Sequence, residues 1–327
     1  MTILVTGATG FIGSAVVRAL LTRGDEVAVL ARSTSPKDNL EGLDVEVRIG
    51  DLRDKASLVR ACAGAHTLFH LAADYRLWAR DYTELYASNV DGTRNLMEAA
   101  LQANVDRVVY TSSVATLGSN ADGTPSDEST PVSIVDMVGH YKRSKYLAER
   151  AVDELVQTRQ LPAIIVNPST PVGPRDIKPT PTGRVVRDAA AGRIPAFVDT
   201  GLNIAHVDDV AAGHIVALER GTVGRRYVLG GENLSLEEIL GTIAEMCGRS
   251  APTIRLPRRL VYPIAYAAEA WAWITNGAEP QATVDGLKMA KKKMFFDSSR
   301  AIDELGYTFR PARNALSDAI SWFEENG

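Results

Sequence analysis

The sequence contains few cysteines, no overall excess of basic residues and no long apolar run. Cys62 and Cys247 are the only cysteines in 327 residues, which excludes the disulfide framework of small secreted domains. A net charge of −4 leaves no basic surplus for holding a nucleic acid. The apolar pattern starts at Ile3, directly after Met1, so a secretory leader has no room. We therefore expect a cytoplasmic protein that binds no nucleic acid.

The most apolar stretch of the chain, residues 260–274, falls short of a transmembrane span. It includes Tyr262, Pro263 and Glu269, which favour a buried or amphipathic helix over a bilayer-crossing one. We expect no stable membrane insertion, while contact with a membrane surface and the lining of a pocket both stay open for this segment. The short basic run 288–293 is typical of a solvated face.

Where long apolar runs are missing, short strand patterns alternate with helical ones. After the first strand, further strands are predicted at 26–32, 45–49, 67–72 and 107–111, and helices at 14–23, 55–63, 82–103 and 141–157. This alternation is typical of an α/β protein with a doubly wound parallel sheet covered on both faces. Later helices are predicted at 184–191, 206–219 and 235–246, the last capped by Asn233 or Ser235.

A glycine turn separates the first strand from the first helix. Gly7, Gly10 and Gly13 let the backbone approach a ligand, and the helix behind them points free N–H groups at it. A pyrophosphate fits such a site. The spacing, G-x-x-G-x-x-G, is looser than the dinucleotide fingerprint G-x-G-x-x-G, so an ordinary tight turn stays an alternative.

Polar residues at the ends of the second and third strands bear on the choice of cofactor. Arg32 stands where an NAD-binding chain would place a carboxylate, and its guanidinium suits a 2′-phosphate. This favours NADP(H), with NAD(H) possible and a solvated arginine as the alternative. Asp51 and Leu52 follow the third strand and are expected beside the adenine.

A tyrosine and a lysine four residues apart form the candidate proton-transfer pair. Tyr141 and Lys145 lie on one face of a predicted helix, and a nearby cation lowers the pKa of a phenol. Ser112 and Ser113 follow the fifth strand. Each pattern is common on its own, whereas their combination with the glycine turn is specific. The scattered histidines show no zinc spacing, so no metal is expected.

These motifs together identify the chain as similar to the extended short-chain dehydrogenase/reductase family. Within that family it resembles the dihydroflavonol-4-reductase-like branch, and residues 70–78 resemble the hopanoid-associated sugar epimerases. The resemblance implies a Rossmann domain over residues 1–173, with a return segment near 203–220. A smaller, interwoven C-terminal lobe over 174–327 would bind substrate. The motifs that carry the resemblance lie at 6–13, 50–52, 70–73, 89–95, 111–118, 141–145, 167–174 and 206–210.

The resemblance also implies roles for individual residues. Tyr141 would be the general acid or base, and Ser113, rather than Ser112, would hydrogen-bond the substrate oxygen. Lys145 would bind the nicotinamide ribose and lower the pKa of Tyr141. Asn89 would hold the geometry at the strand ends. The cofactor would contact Gly7, Gly10, Phe11, Ile12 and Gly13 at the pyrophosphate, Arg32 at the 2′-phosphate, Asp51 and Leu52 at the adenine, Leu71, Ala72 and Ala73 beside the ribose, and Pro168 near the nicotinamide.

Three functions follow from these expectations. The first is an NADP(H)-dependent reductase of a ketone or aldehyde. The second is a nucleotide-sugar epimerase or dehydratase that retains its cofactor and uses Arg175, Arg184, Arg187 and Arg193 to hold a diphosphate. The third is a non-catalytic NADP sensor, which need not keep Tyr141 and Lys145. A homodimer through helices 82–103 and 141–157 is expected.

Overall fold

The computed structural model describes residues 1–120, 122–275, 277, 280 and 283–326. Its strands are β1 (Ile3–Thr6), β2 (Val27–Ala31), β3 (Glu46–Ile49), β4 (Thr67–His70), β5 (Arg107–Thr111), β6 (Ala163–Pro168), β7 (Thr170–Val172), β8 (Ala196–Phe197), β9 (Gly201–His206), β10 (Arg226–Leu229), β11 (Glu232–Ser235) and β12 (Ile254–Arg255). Its helices are α1 (Phe11–Thr22), α2 (Lys55–Cys62), α3 (Thr83–Tyr86), α4 (Gly92–Gln102), α5 (Gly139–Arg159), α6 (Pro181–Ala190), α7 (Val207–Arg220), α8 (Leu236–Met246), α9 (Arg258–Thr275), α10 (Val284–Met289), α11 (Ser299–Leu305) and α12 (Ala312–Asn326).

The main sheet has seven parallel strands in the order β10-β6-β5-β4-β1-β2-β3. The chain runs outward from β1 through β2 to β3, then resumes on the other side of β1 with β4. The order therefore reverses between β1 and β4, and a crevice opens there at the carboxyl ends of the strands. This confirms the predicted doubly wound Rossmann sheet.

Successive residues of the central strands belong to two different cores. Leu4 and Ala28 pack on one face of the sheet with α2, α4 and α5, whereas Val5 and Val29 pack on the other with α1 and α7. Side chains alternate across a strand, so a strand covered on both faces must be apolar throughout. This explains why the strands read as continuous apolar runs in the sequence.

The second half of the chain builds a smaller layer and also returns to the main sheet. Strands β7, β9 and β11 form a separate sheet, and α6, α8 and α12 pack around Val186, Ile239 and Leu316. Helix α7 then packs against α1, and β10 joins the edge of the main sheet beside β6. The division into domains at residue 173 stays a prediction.

Several helices differ in detail from the predicted ones. The helix expected over 82–103 is divided by a π turn at Ala87–Asp91. Helix α6 begins at Pro181 rather than at Arg184, because the Thr180 hydroxyl accepts a hydrogen bond from the Gly183 amide at 3.0 Å and caps the helix earlier. Of the two candidate caps for α8, Ser235 is the one used. Within the described ranges, no helix is long and apolar enough to cross a bilayer.

Candidate active site

The predicted site residues follow the ends of neighbouring strands of the main sheet, so they lie along one edge. Read across the sheet from β3 to β6, the edge carries Asp51 and Leu52 after β3, Arg32 after β2, Gly7 to Gly13 after β1, Leu71 to Ala73 after β4, Ser112 and Ser113 after β5, and Pro168 at the end of β6. The carboxyl ends of parallel strands thus bring together residues far apart in the sequence.

The glycine turn leaves no space for side chains at two of its positions. Gly7 has a φ of +71°, and a Cβ on it would lie 2.6 Å from the Ala72 nitrogen. A Cβ on Gly13 would lie 2.0 Å from the Gly7 carbonyl oxygen. Extended Gly10 caps α1 without any side-chain hydrogen bond, so the first amides of the helix face outward toward an anion. The turn therefore fits the pyrophosphate of a dinucleotide.

His70 at the end of β4 holds the glycine strand to the neighbouring elements. Its Nδ1 lies 2.7 Å from the Thr6 hydroxyl and its Nε2 lies 2.9 Å from the Thr93 hydroxyl. Burial, and secondarily the charge of Lys145, lowers the pKa of His70 to about 3. The imidazole is neutral at physiological pH and acts as a packed, structural residue.

The residues expected around the adenosine end of the cofactor lie close together, and Asp51 already forms an ion pair with a neighbouring arginine. Exposed Arg32 lies close enough to Asp51 to help lower the pKa of that carboxyl, although the hydrogen bond from Arg53 lowers it more. Arg53 Nη2 lies 2.8 Å from Asp51 Oδ2. Leu52 packs under α4, where a Cβ on Gly92 would lie 2.7 Å from the Leu52 Cβ. Arg53 is a neighbour of Asp51 that the sequence reasoning missed.

The Ser113 hydroxyl lies close enough to the Tyr141 phenol to influence its pKa, and it accepts a hydrogen bond from the Ala115 amide at 3.1 Å. Burial raises the pKa of Tyr141 and outweighs the lowering by the Ser113 hydroxyl, and the Asp74 carboxylate raises it further. The net shift is therefore upward, which makes the predicted lowering of the Tyr141 pKa wrong for this arrangement. Tyr141 is therefore protonated in this arrangement, with the Ser113 hydroxyl close by.

Lys145 lies one helical turn after Tyr141 and reaches back toward β5. Its Nζ lies 2.9 Å from the Thr111 carbonyl oxygen and 3.4 Å from the Tyr110 hydroxyl. Burial lowers the pKa of Lys145 to about 8, although the Glu149 carboxylate opposes the shift. The ammonium is therefore anchored at the end of β5, the strand that leads into Ser113.

Beneath these residues, the sequence reasoning missed a buried carboxylate. The Glu149 side chain is fully buried and accepts hydrogen bonds from several elements. Its donors are Ser112 Oγ at 2.5 Å, Thr116 Oγ1 at 2.9 Å, Asn167 Nδ2 at 2.9 Å, Arg150 Nη2 at 3.0 Å and Arg226 Nη1 at 3.3 Å. Glu149 thus ties α5 to β5, β6 and β10 directly behind the Ser113 loop. A lysine and a glutamate four apart look like a surface pair in sequence, which hid this role.

A second polar junction fixes the loop that follows β4. Within the π turn, Asn89 accepts a hydrogen bond from the Asp74 amide at 2.7 Å and donates one to the Ser144 hydroxyl at 2.9 Å. Asn89 therefore links the strand end to α5, in keeping with its expected place. Next to Tyr141, the His140 ring stacks on Tyr82 with centroids 3.9 Å apart. One member of this aromatic pair, His140, stands next to Tyr141 in the chain, and the spacing of the two residues in the sequence offered no signal.

Pro168 ends β6 between two polar side chains with unused hydrogen-bonding capacity. The Asn167 Oδ1 and the Ser169 Oγ are buried and have no hydrogen-bond partner among the residues that the structure describes. Buried polar atoms are normally paired, so these two atoms have hydrogen-bonding capacity that the described protein residues do not use, although the Asn167 side chain is fully buried. Their chemistry fits the carboxamide of a nicotinamide, and with the glycine turn they make the edge suited to the whole cofactor.

Comparison with protein families gives one match that spans most of the chain. The model of the NAD dependent epimerase/dehydratase family matches residues 3–230. That range runs from β1 through β10 and contains every residue of the edge described above.

Similar proteins fall into more than one class of activity. A protein of Synechocystis sp. with the provisional name dihydroflavonol 4-reductase is 44% identical over 99% of this chain and 94% of its own length. The crystal structure of gox2253 is 52% identical, with a TM-score of 0.90 over 100% of this chain and 98% of the other. The dTDP-glucose 4,6-dehydratase DesIV of Streptomyces venezuelae, solved with NAD and TYD bound, is 25% identical, with a TM-score of 0.81 over 100% and 98% of the two chains.

Proposed function

The chain belongs to the NAD dependent epimerase/dehydratase family, and from this premise we propose that it is an NADP(H)-dependent reductase of a ketone or aldehyde. Membership makes it a nicotinamide-dependent oxidoreductase or epimerase of the extended short-chain dehydrogenase/reductase type. The choice of NADP(H), the role of each residue and the class of substrate are our inferences.

The observation that carries the proposal is the composition of the residues that follow β2. Arg32 is exposed there, and no acidic residue occurs between Ala31 and Lys37. A carboxylate at this place would bind the ribose 2′-hydroxyl of NAD, whereas a guanidinium binds a 2′-phosphate. A preference for NADP(H) favours a reductase that consumes its cofactor over an epimerase that retains NAD. The name of the Synechocystis relative agrees with this choice.

The geometry supports a role for each residue in carbonyl reduction. The nicotinamide, when bound, supplies the hydride. Tyr141 then donates a proton to the substrate oxygen, and Ser113 offers that oxygen a hydrogen bond as negative charge grows on it. A phenol is protonated at neutral pH even at its ordinary pKa, so Tyr141 has a proton to donate, and burial in the free protein makes it a weaker acid than usual. Lys145 would bind the nicotinamide ribose through its ammonium group, and Asn89 and Glu149 keep these elements in register.

The epimerase alternative is supported by DesIV but weakened by the arginines proposed to bind a diphosphate. Arg175 is paired with Asp208, and both Arg187 and Arg193 are paired with Asp188. Arg184 donates to the Pro179 carbonyl oxygen at 3.3 Å. Asp188 and Asp208 offset part of the positive charge of these four arginines, which weakens their attraction for a diphosphate. A carbonyl substrate without a diphosphate fits this lobe better.

Cofactor consumption tests the proposal. Purified protein would be mixed with NADPH or NADH and a panel of aldehydes, ketones and nucleotide sugars, and nicotinamide absorbance would be followed. We expect stoichiometric loss of NADPH with a carbonyl compound and much slower loss of NADH. A sugar that changes configuration while absorbance stays constant would support the epimerase instead. A sensor would keep NADPH binding without turnover.

The proposal includes a homodimer that pairs through the outer faces of α4 and α5. Arg94 and Glu154 form an exposed ion pair between these two helices. Solution scattering would measure the mass, and a monomer at micromolar concentration would contradict this part of the proposal without affecting the chemistry.

A further inference from the structure

Helix α9 presents a row of large apolar side chains to the outside of the molecule. Leu260, Ile264, Trp271 and Ile274 are 65%, 62%, 69% and 70% exposed. Their spacing of four, seven and three residues puts them on one face of the helix. Such a face is ordinarily turned toward a core, so its exposure indicates a surface made for contact with something else.

The opposite face of α9 is already packed, so the exposed row is not a misplaced core. Ala265 is buried against Val284 and Leu287 of α10. The only acidic residue of the helix, Glu269, accepts a hydrogen bond from the Val284 amide at 2.7 Å. Its charge is therefore directed at α10, and the outer face from Leu260 to Ile274 carries no charged side chain.

Aromatic side chains flank the apolar row. Tyr266 and Trp273 are 58% and 61% exposed, and the guanidinium of Arg80 lies 5.4 Å from the Trp273 ring centroid. Tyrosine and tryptophan combine an apolar body with a polar edge, and both prefer the boundary between hydrocarbon and water. This composition suits the headgroup region of a bilayer better than a dry protein contact.

Basic residues outnumber acidic ones in the chain segment that contains this surface. Residues 258–293 contain six lysines and arginines against three acidic residues, in a chain whose net charge is −4. Arg258 and Arg259 begin α9, and Lys288 of α10, which pairs with Asp285 at 3.1 Å, lies near Tyr262 and Tyr266. A second copy docking symmetrically on this face would bring like charges together, whereas anionic headgroups would neutralise them.

We propose that the exposed face of α9 docks on the surface of an anionic phospholipid bilayer. The helix lies in the interfacial plane with Leu260, Ile264, Trp271 and Ile274 among the acyl chains and the neighbouring cations at the headgroups. Helix α10 connects this face to the active site, since a Cβ on Gly139 would lie 2.8 Å from the Asp285 carboxylate. Gly139 begins the helix that carries Tyr141, so α10 contacts both α9 and the start of that helix. The docking itself depends only on this surface, not on the proposed reductase activity.

Vesicle binding by the full chain tests the proposal without any enzymatic readout. The protein would be sedimented with vesicles of phosphatidylcholine alone and with vesicles that contain about 30 mol% phosphatidylglycerol. The test variant is Trp271→Gln, and the matched control is Ile302→Gln, which removes an apolar side chain that is 42% exposed on α11. Both positions are exposed, so both variants should fold, and circular dichroism would verify it.

We expect binding to the anionic vesicles, weaker binding in high salt, and a loss on the order of tenfold in partitioning for Trp271→Gln. The Ile302→Gln variant should bind as the unaltered protein does. Failure to bind anionic vesicles would overturn the proposal, and so would equal binding by Trp271→Gln. A concentration-dependent dimer that Trp271→Gln dissociates, without vesicle binding, would show that a second copy covers the face instead.

Discussion

The strand ends around Tyr141 and the outer face of α9 differ in which side chains they bury. The strand ends bury polar side chains, whereas the face of α9 exposes apolar ones. Around Tyr141, polar groups are buried and partnered: Glu149 receives hydrogen bonds from several elements, and Lys145 is anchored on the Thr111 carbonyl. On α9, apolar groups such as Trp271 are exposed, and Ala265 on the opposite face packs against α10. The first region fixes positions for chemistry, and the second leaves a surface free for binding. Substitutions should therefore affect turnover and stability in one region and association in the other.

The largest expected effect is at Tyr141. Tyr141→Phe removes the proton donor while leaving the ring, so turnover should fall by about 10²–10⁴-fold. NADPH affinity, measured by fluorescence titration, should change little. Turnover within a few-fold of the unaltered enzyme would show that Tyr141 is not the proton donor.

The next effect contrasts the stability of the two regions. Glu149→Gln leaves cationic and hydroxyl donors facing a neutral amide in a buried site, and should lower the free energy of unfolding by about 2–3 kcal/mol. Denaturant unfolding would measure it. Glu154→Gln, on the same helix but exposed, is the matched control and should cost less than about 1 kcal/mol. Trp271→Gln should stay within about 0.5 kcal/mol, and a loss as large as that of Glu149→Gln would remove the contrast.

The third prediction concerns the choice of cofactor at Arg32, which follows β2 at the same edge of the main sheet. Arg32→Ser should weaken NADPH binding about tenfold, because one charge-assisted contact with the 2′-phosphate is lost. NADH binding should be unchanged, and parallel titrations of both cofactors would show it. An equal loss for the two cofactors would assign Arg32 a general structural role.

The smallest effect is a shift in the pH profile. The pKa of Lys145 is lowered to about 8, so its charge is present below that pH and lost above it. Tyr141 keeps its proton across this range because its pKa is raised. Then kcat/KM for reduction should be level near neutrality and fall above about pH 8. Glu149 raises the pKa of Lys145, so Glu149→Gln should move this fall to lower pH. If the pH profile of kcat/KM were the same in Glu149→Gln, Glu149 would not affect the pKa of Lys145 as expected.

The sequence predicted the main sheet and the ends of its strands well because both depend on local patterns. Continuous apolar runs marked β1 and β2, and glycine at positions 7 and 13 marked a turn that has no room for a Cβ. Tyr141 and Lys145 were found because their spacing is one helical turn. These features are carried by residues close together in the chain.

What the sequence did not predict depends on contacts between distant segments. Glu149 reads as an ordinary helix-surface acid until β5, β6 and β10 enclose it. The raised pKa of Tyr141 comes from burial, which a motif does not report. The arginines proposed for a diphosphate read as free until Asp188 and Asp208 are placed beside them. The apolar residues on the exposed face of α9 have the spacing of a helix that packs on a core. Their exposure could not be predicted from that spacing.

The central claim is that this chain transfers hydride from NADPH to a carbonyl carbon and releases the oxidised cofactor. The most direct measurement uses NADPH deuterated at the transferred position of C4, with mass analysis of the product and absorbance of the cofactor. We expect one deuterium on the new carbinol carbon for each NADPH consumed. An isomerised sugar that carries no deuterium, with the cofactor retained on the protein and its absorbance unchanged, would contradict it.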